Sequence, residues 1–144
     1  MMRYLVATHG ELAVGIINSV SLIIGNGENV DYFSMTKSKS SEDAEMEIKN
    51  YLERNKGESL IVLTDLFGGS VANAFTKYLL EGYQFELVTG VNLPMLLTML
   101  LSNQESKEQI VSNGIEEGSK GIIHINKILE QQGGNRDGFI TIED

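Results

Sequence analysis

An α/β fold with an open, mainly parallel sheet and helices on both faces is predicted by three features of this sequence. Short apolar runs rich in strand formers alternate with stretches of helical periodicity, at the spacing of parallel strands joined by right-handed crossovers. The runs Leu5-Val6-Ala7 and Leu60-Ile61-Val62-Leu63 are continuous rather than alternating, as in strands covered on both faces. Both end abruptly in glycine-containing loops, Thr8-His9-Gly10 and Thr64-Asp65-Leu66-Phe67-Gly68-Gly69-Ser70, before a helix begins.

In chain order, residues 2 to 8 read as the first strand. Leu12, Ile16, Val20 and Ile23 or Ile24 then share a helical face, and Gly25 and Gly27 supply the left-handed stop. Gly15, inside that helix, costs roughly 1 kcal/mol relative to alanine, which packing against the sheet would justify. Val30 to Met35 is a second strand. Ser40 followed by Asp43 opens a helix whose face carries Ala44, Ile48, Tyr51 and Leu52, and Gly57 closes it. Ser59 to Leu63 is the clearest strand; Ala72, Phe75 and Leu79 mark the helix after it, which stops at Gly82. Tyr83 to Thr89 is a fourth strand, Gly90-Val91-Asn92 a turn, and Pro94 a first-turn residue for a helix from Met95 to Leu101. Gln104 to Glu117 reads as a more exposed helix with Ile110, Val111 and Ile115 inward. Gly121 to Asn126 reads as a fifth strand, followed by a short Lys127 to Gln132 segment, a turn over Gly133 to Gly138 and an extended Phe139 to Ile142.

The 144 residues suffice for one domain with a substantial core. Eleven basic against 20 acidic residues give a formal charge of -9, which argues against nucleic acid as the main ligand and for a basic protein partner. With no cysteine, disulfides and thiol catalysis are excluded. The start Met1-Met2-Arg3-Tyr4 lacks a signal-peptide core, and no apolar run approaches the ~20 residues needed to span a bilayer, so the expected location is cytoplasmic.

All carboxyl ends of a parallel sheet lie on one edge, so His9, Asp65, Ser70 and Asn92 can converge there although they are distant in sequence. A carboxylate beside imidazole holds one ring nitrogen as N–H and leaves the other a free nucleophile. Asp65 fits that role. Gly10, Gly68 and Gly69 let backbone amides approach a phosphate, Asn92 is a further phosphate-binding candidate, and Ser70 would cap the helix while its hydroxyl faces an oxyanion. Phosphoryl transfer to His9 needs little beyond this, because positioning and charge stabilisation dominate it. No metal or cofactor is required, only a transient phosphohistidine.

His9-Gly10-x-x-Ala13-x-Gly15, the run Thr64 to Ser70 with Asn73, and Gly90-Val91-Asn92-x-Pro94-Met95-Leu96 resemble the enzyme IIA component of the mannose-family (mannose, fructose, sorbose) sugar phosphotransferase system. The resemblance runs from Met2 to about Asn126, making residues 1–126 the enzyme IIA domain and 127–144 a C-terminal extension, hairpin-like or flexible. It implies that His9 takes a phosphoryl group from phospho-HPr and passes it to a histidine of enzyme IIB, with the membrane components IIC and IID acting downstream. It also implies that Asp65 orients the histidine, that Ser70 neighbours the phosphate, and that the protein can sit peripherally at the membrane through the transporter. Where the family usually carries proline and an aromatic after the serine, this chain has Val71-Ala72, which bears on loop shape and sugar subgroup.

Other readings are weaker. A phospho-aspartate receiver would also place an aspartate at the third strand end, but it needs acidic residues after the first strand, where this chain has Thr8-His9-Gly10. The phosphotransfer subunit of a dihydroxyacetone kinase, or a same-fold regulatory domain, is the alternative; a regulator would belong to a longer chain, whereas this one starts at a plausible initiator Met1. His124 reads as structural or exposed, Tyr51, Phe75 and Tyr78 as core, Ser41 to Glu47 as a solvated helix face, and Asn135 to Ile140 as a turn rather than half a calcium loop. The strand from Gly121 follows a polar helix and is poorly placed to join its own sheet, so it is expected to be exchanged between the subunits of a homodimer, with Ile122, Ile123 and Ile125 in the interface. The family resemblance implies the same exchange.

Overall fold

The computed structural model describes residues 2–132. Four strands, β1 (Met2–His9), β2 (Val30–Met35), β3 (Ser59–Thr64) and β4 (Glu86–Thr89), pair in parallel in the order β2-β1-β3-β4. Six helices accompany them: α1 (Leu12–Ile24), α2 (Ser41–Arg54), α3 (Ser70–Leu80), α4 (Leu93–Leu100), α5 (Lys107–Lys120) and α6 (Ile125–Gln131).

The continuous apolar runs are explained by two cores, one on each face of the sheet. Leu5, Ala7, Leu60 and Val62 point to α2 and α3, where Ile48, Leu52 and Phe75 meet them. Their neighbours Tyr4, Val6, Ile61 and Leu63 point to α1, α4 and α5, against Val20, Leu96 and Met99. A strand buried on both faces has no use for alternating polar residues. Ser40 caps α2 by accepting from the Asp43 N–H at 3.0 Å, and the expected face of Ala44, Ile48, Tyr51 and Leu52 is buried.

Several elements differ from the sequence reading. In α1 the buried residues are Ala13 and Val20, while Leu12 and Ile23 are more than half exposed. The helix carries no charge from Leu12 to Ile24, so its apolar residues point in nearly every direction and spacing alone does not select a face. β4 begins at Glu86 rather than Tyr83; Phe85 is buried in the core before the strand pairs with β3.

In α5, Ile115 is exposed and the inward positions are Ile110, Gly114 and Gly118. A Cβ at Gly118 would lie 2.9 Å from Met95 Cβ, so α5 packs on α4 through glycine, a face that apolar periodicity does not mark. The fifth strand is not found in this chain: residues 122–124 are irregular and Ile125–Gln131 is helical. Ile122, Ile123 and Ile125 favour a strand, but no backbone edge of the chain's own sheet meets them, and the Asn-Lys-Ile-Leu-Glu-Gln run that follows is rich in helix formers. Residues 127–131 are therefore helical rather than hairpin-like or flexible, and α6 crosses the 126/127 division. The expected turn at 133–138 and extended segment at 139–142 lie outside the described residues.

Candidate active site

The strand order reverses around β1: the chain runs from β1 to β2 on one side and returns to β3 on the other. The carboxyl ends of β1 and β3 flank the crevice that open α/β sheets use for ligands. His9 is the last residue of β1, and Asp65 follows directly after β3.

Asp65 holds His9 twice with one oxygen. Oδ2 accepts from the His9 backbone N–H at 2.9 Å and lies 2.9 Å from Nδ1. Oδ1 accepts from the Leu66 N–H at 3.1 Å. A carboxylate only accepts, so Nδ1 carries the ring proton and Nε2 is left with its lone pair. Nε2 lies 3.1 Å from Ser70 Oγ, which donates to it in this tautomer. The imidazole is thus fixed at both nitrogens while its side chain is 43% exposed and the Asp65 side chain only 10%.

Burial of Asp65 opposes its charge, but donation from the His9 backbone, the His9 ring and the loop's own backbone outweighs it and holds the carboxyl below the ordinary range. The stabilisation linked to that shift is complete above the unfolded value of about 3.9 and is lost as pH falls through the lower folded value.

Local structure explains why these groups meet. Gly10 turns the chain between β1 and α1 with φ of 57°, a conformation glycine adopts without strain, and donates its N–H to Met35 O at 2.9 Å. That amide is spent on the turn and not free for a phosphate. The N-cap residue of α1 is Glu11, but it is the fully buried Thr8 whose Oγ1 accepts from the first-turn Ala13 N–H at 2.8 Å, a role that residue type alone does not announce. Gly69, not Ser70, is the N-cap of α3, and Ser70 is the first helical residue. A Cβ at Gly69 would lie 3.1 Å from His9 Cε1 and 3.3 Å from Leu66 Cδ1, so glycine is what lets the loop lie against the imidazole. Gly68 takes φ of 80°, and its carbonyl accepts from Asn73 Nδ2 at 3.3 Å. The N–H groups of Gly68 and Ser70 make no backbone hydrogen bond among the described residues, which leaves two donors at the start of α3, where the Ser70 hydroxyl meets Nε2.

Asn92 is engaged elsewhere. Its Oδ1 accepts from the Met95 N–H at 3.0 Å, capping α4, and its Nδ2 donates to Gly118 O at 3.0 Å, tying α4 to α5. Asn92→Ala is therefore expected to lower stability by about 2 kcal/mol, a lost cap plus a lost hydrogen bond, without changing chemistry at His9. Chemical denaturation read beside a phosphorylation assay checks this. Full stability with slowed chemistry would return Asn92 to the phosphate.

His124 is exposed at the start of α6, away from any carboxylate partner among the described residues. The described residues include no group of three or more His, Asp or Glu placed to hold a metal ion, and no helix long and apolar enough to cross a membrane.

A family model described as PTS system fructose IIA component matches residues 3–115. The mannose-specific EIIAB component of Escherichia coli K12 is 29% identical over a 125-residue alignment that covers 81% of this chain but 37% of that protein. The sorbose-specific EIIA component of Lacticaseibacillus casei is 28% identical over 113 residues, 78% of this chain and 82% of that one. Among solved structures, phosphotransferase system component EIIA from Streptococcus agalactiae superposes with a TM-score of 0.80 at 27% identity, covering 88% of this chain and 99% of that one. A phosphotransferase system permease from Klebsiella pneumoniae superposes with a TM-score of 0.76 at 30% identity, covering 89% and 93%.

Proposed function

Since the chain belongs to the mannose- and fructose-type enzyme IIA family and is a IIA-type component of a sugar phosphotransferase system, we propose that His9 is its phosphoryl carrier. In this reading His9 takes the group from phospho-HPr and passes it to a histidine of enzyme IIB, which serves the membrane components IIC and IID. The observation that carries it is the doubly held imidazole, with Asp65 at Nδ1 and Ser70 at Nε2.

The Nε2 lone pair attacks the phosphorus of the donor's phosphohistidine in line, and the bond to the donor's ring nitrogen breaks as its electron pair returns to that ring. Nδ1–H stays on His9, and the positive charge that develops on the ring is balanced by Asp65. Ser70 Oγ must leave Nε2 for the new bond to form, and its hydroxyl then donates to a phosphoryl oxygen beside the free N–H groups of Gly68 and Ser70. The transfer is reversible, so the same contacts serve delivery to enzyme IIB.

The test is the relay itself. Phospho-HPr should load one phosphoryl group, labile to acid, and the loaded protein should hand it to a mannose-family enzyme IIB. Hand-off to a dihydroxyacetone kinase instead would move the protein to that system.

The homodimer belongs to the same proposal. Ile122, Ile123 and Ile125 stand 81%, 56% and 49% exposed, and β4 is an outer strand of the sheet among the described residues, an arrangement a partner's strand would cover. Light scattering should give a dimer, and a chain ending at Ser119 should be monomeric or markedly less stable. A monomeric intact chain would contradict the exchange.

A further inference from the structure

We propose that the amino edge of the sheet carries a second site, a pocket built by Arg3, Asp31, Tyr51 and Arg54 that takes a small phosphorylated sugar. It lies at the far end of β1 from His9, since Arg3 stands at the start of that strand and His9 at its end, about 20 Å away. The proposal therefore stands apart from the phosphocarrier reading.

Three elements bring these groups together. Arg3 in β1 and Asp31 in β2 project to the face covered by α2, because Leu5 and Ala7 alternate with Arg3 onto that side and Asp31 stands in register with Leu5. Tyr51 and Arg54 come from the last turn of α2. Arg3 Nη1 donates to Asp31 Oδ2 at 3.0 Å, and the Tyr51 hydroxyl donates to the same oxygen at 2.8 Å. Burial pushes the Tyr51 pKa upward, so that hydroxyl keeps its proton. The Arg54 guanidinium sits 5.8 Å from the centre of the Tyr51 ring, and Asn55 Nδ2 donates to the Tyr51 carbonyl at 2.8 Å. Together with Tyr32, which is 58% exposed, these residues line a cavity of about 540 Å³, within the range of small-molecule sites.

What the cavity leaves unused defines the ligand. Its lining sets two guanidinium groups against one carboxylate, in a chain whose overall charge is -9. Arg54 pairs with no carboxylate among the described residues. Arg3 gives only Nη1 to Asp31, and its Nε–H is shut off from water without a partner. Guanidinium donors in this state suit a phosphate, whose oxygens can take two of them at once. The acceptors left over call for hydroxyl groups, because Asp31 Oδ1 and Asn55 Oδ1 receive no hydrogen bond among the described residues. An inorganic anion would leave those two oxygens unanswered, and a neutral sugar would leave Arg54 so. A phosphorylated sugar answers both, and the Tyr32 ring offers a surface to the apolar face of the sugar. A sugar phosphotransferase system yields compounds of this class, so the occupant would be a product of the system and not a phosphoryl donor to His9.

Glucose 6-phosphate, mannose 6-phosphate and fructose 1-phosphate are each titrated into the full ¹⁵N-labelled chain, with the unphosphorylated hexoses and inorganic phosphate as separate arms. Amide signals of residues 30–32 and 51–55 should shift and saturate with a Kd of about 1 mM or tighter for at least one hexose phosphate, while those of His9 and Gly10 stay in place. The free hexose and inorganic phosphate should each bind at least about 10-fold more weakly. Arg54→Gln, at an exposed position, should keep the parent circular dichroism and weaken hexose phosphate binding by about 10-fold, the effect of one charged hydrogen bond. The proposal is overturned if none of the three hexose phosphates saturates the shifts, or if inorganic phosphate or the free hexose binds as tightly. Shifts that fall at His9 instead, or a folded Arg54→Gln protein that binds like the parent, would overturn it too.

Discussion

His9→Ala will take no phosphoryl group from phospho-HPr and will pass none to enzyme IIB, while keeping its fold. The loss is complete rather than partial because nothing else at this edge of the sheet is a comparable nucleophile. Ser70 has no general base besides His9 itself, and Asp65 is engaged by three N–H groups. The fold survives because removing the imidazole still leaves the Asp65 carboxylate two backbone donors, from His9 and Leu66. The cost is that of one hydrogen bond at a half-exposed site, about 1 kcal/mol. Intact-mass measurement after incubation with phospho-HPr reads the outcome directly. Any residual charging would mean that another residue carries the group.

Asp65→Asn should slow transfer by roughly 10³ to 10⁴-fold, the scale seen when an imidazole loses the carboxylate that fixes its tautomer. The geometry makes the damage specific. Three N–H groups converge on the two carboxylate oxygens, and asparagine offers one accepting oxygen. If its NH₂ turns toward His9, it opposes the backbone N–H and forces Nδ1 to accept, which moves the ring proton to Nε2 and removes the nucleophile. If its NH₂ turns toward Leu66, the tautomer survives but the loop loses its tie and the imidazolium charge has no counterpart. A stopped-flow rate, taken with a denaturation curve, separates these chemical losses from unfolding. A folded Asp65→Asn protein with the parent rate would remove Asp65 from the mechanism.

Much of this architecture is legible in the chain because local pattern and global fold agree. Two-faced burial of β1 and β3 demands unbroken apolar runs, and the cap at Ser40 announces α2. The meeting of His9, Asp65 and Ser70 follows from a rule of topology, since parallel strands share one carboxyl edge, and needs no knowledge of strand order. What escaped were contacts that residue type does not advertise. Gly114 and Gly118 form the packing face of α5 because they lack side chains, which a search for apolar residues cannot register. Asn92 lies at the expected edge, but whether its amide meets a ligand or two helix ends depends on how near α5 comes. The cap of α3 falls at Gly69 rather than at Ser70 because both residue types are acceptable caps, and the nearness of the loop to the imidazole decides between them. Residues 121–126 carry a strand-forming composition without a strand partner in their own chain, so pattern specifies the tendency and not the neighbour.

The most direct test of the central claim is the position of the phosphorus on the ring. The chain has two histidines, His9 and His124, so a proton–nitrogen correlation spectrum of ¹⁵N-histidine-labelled protein is simple to assign. After charging by phospho-HPr, the His9 Nε2 signal should show the phosphorus bond while Nδ1 remains protonated against Asp65. A phosphoryl group on Nδ1, on His124 or on Ser70 would contradict the mechanism built on this geometry.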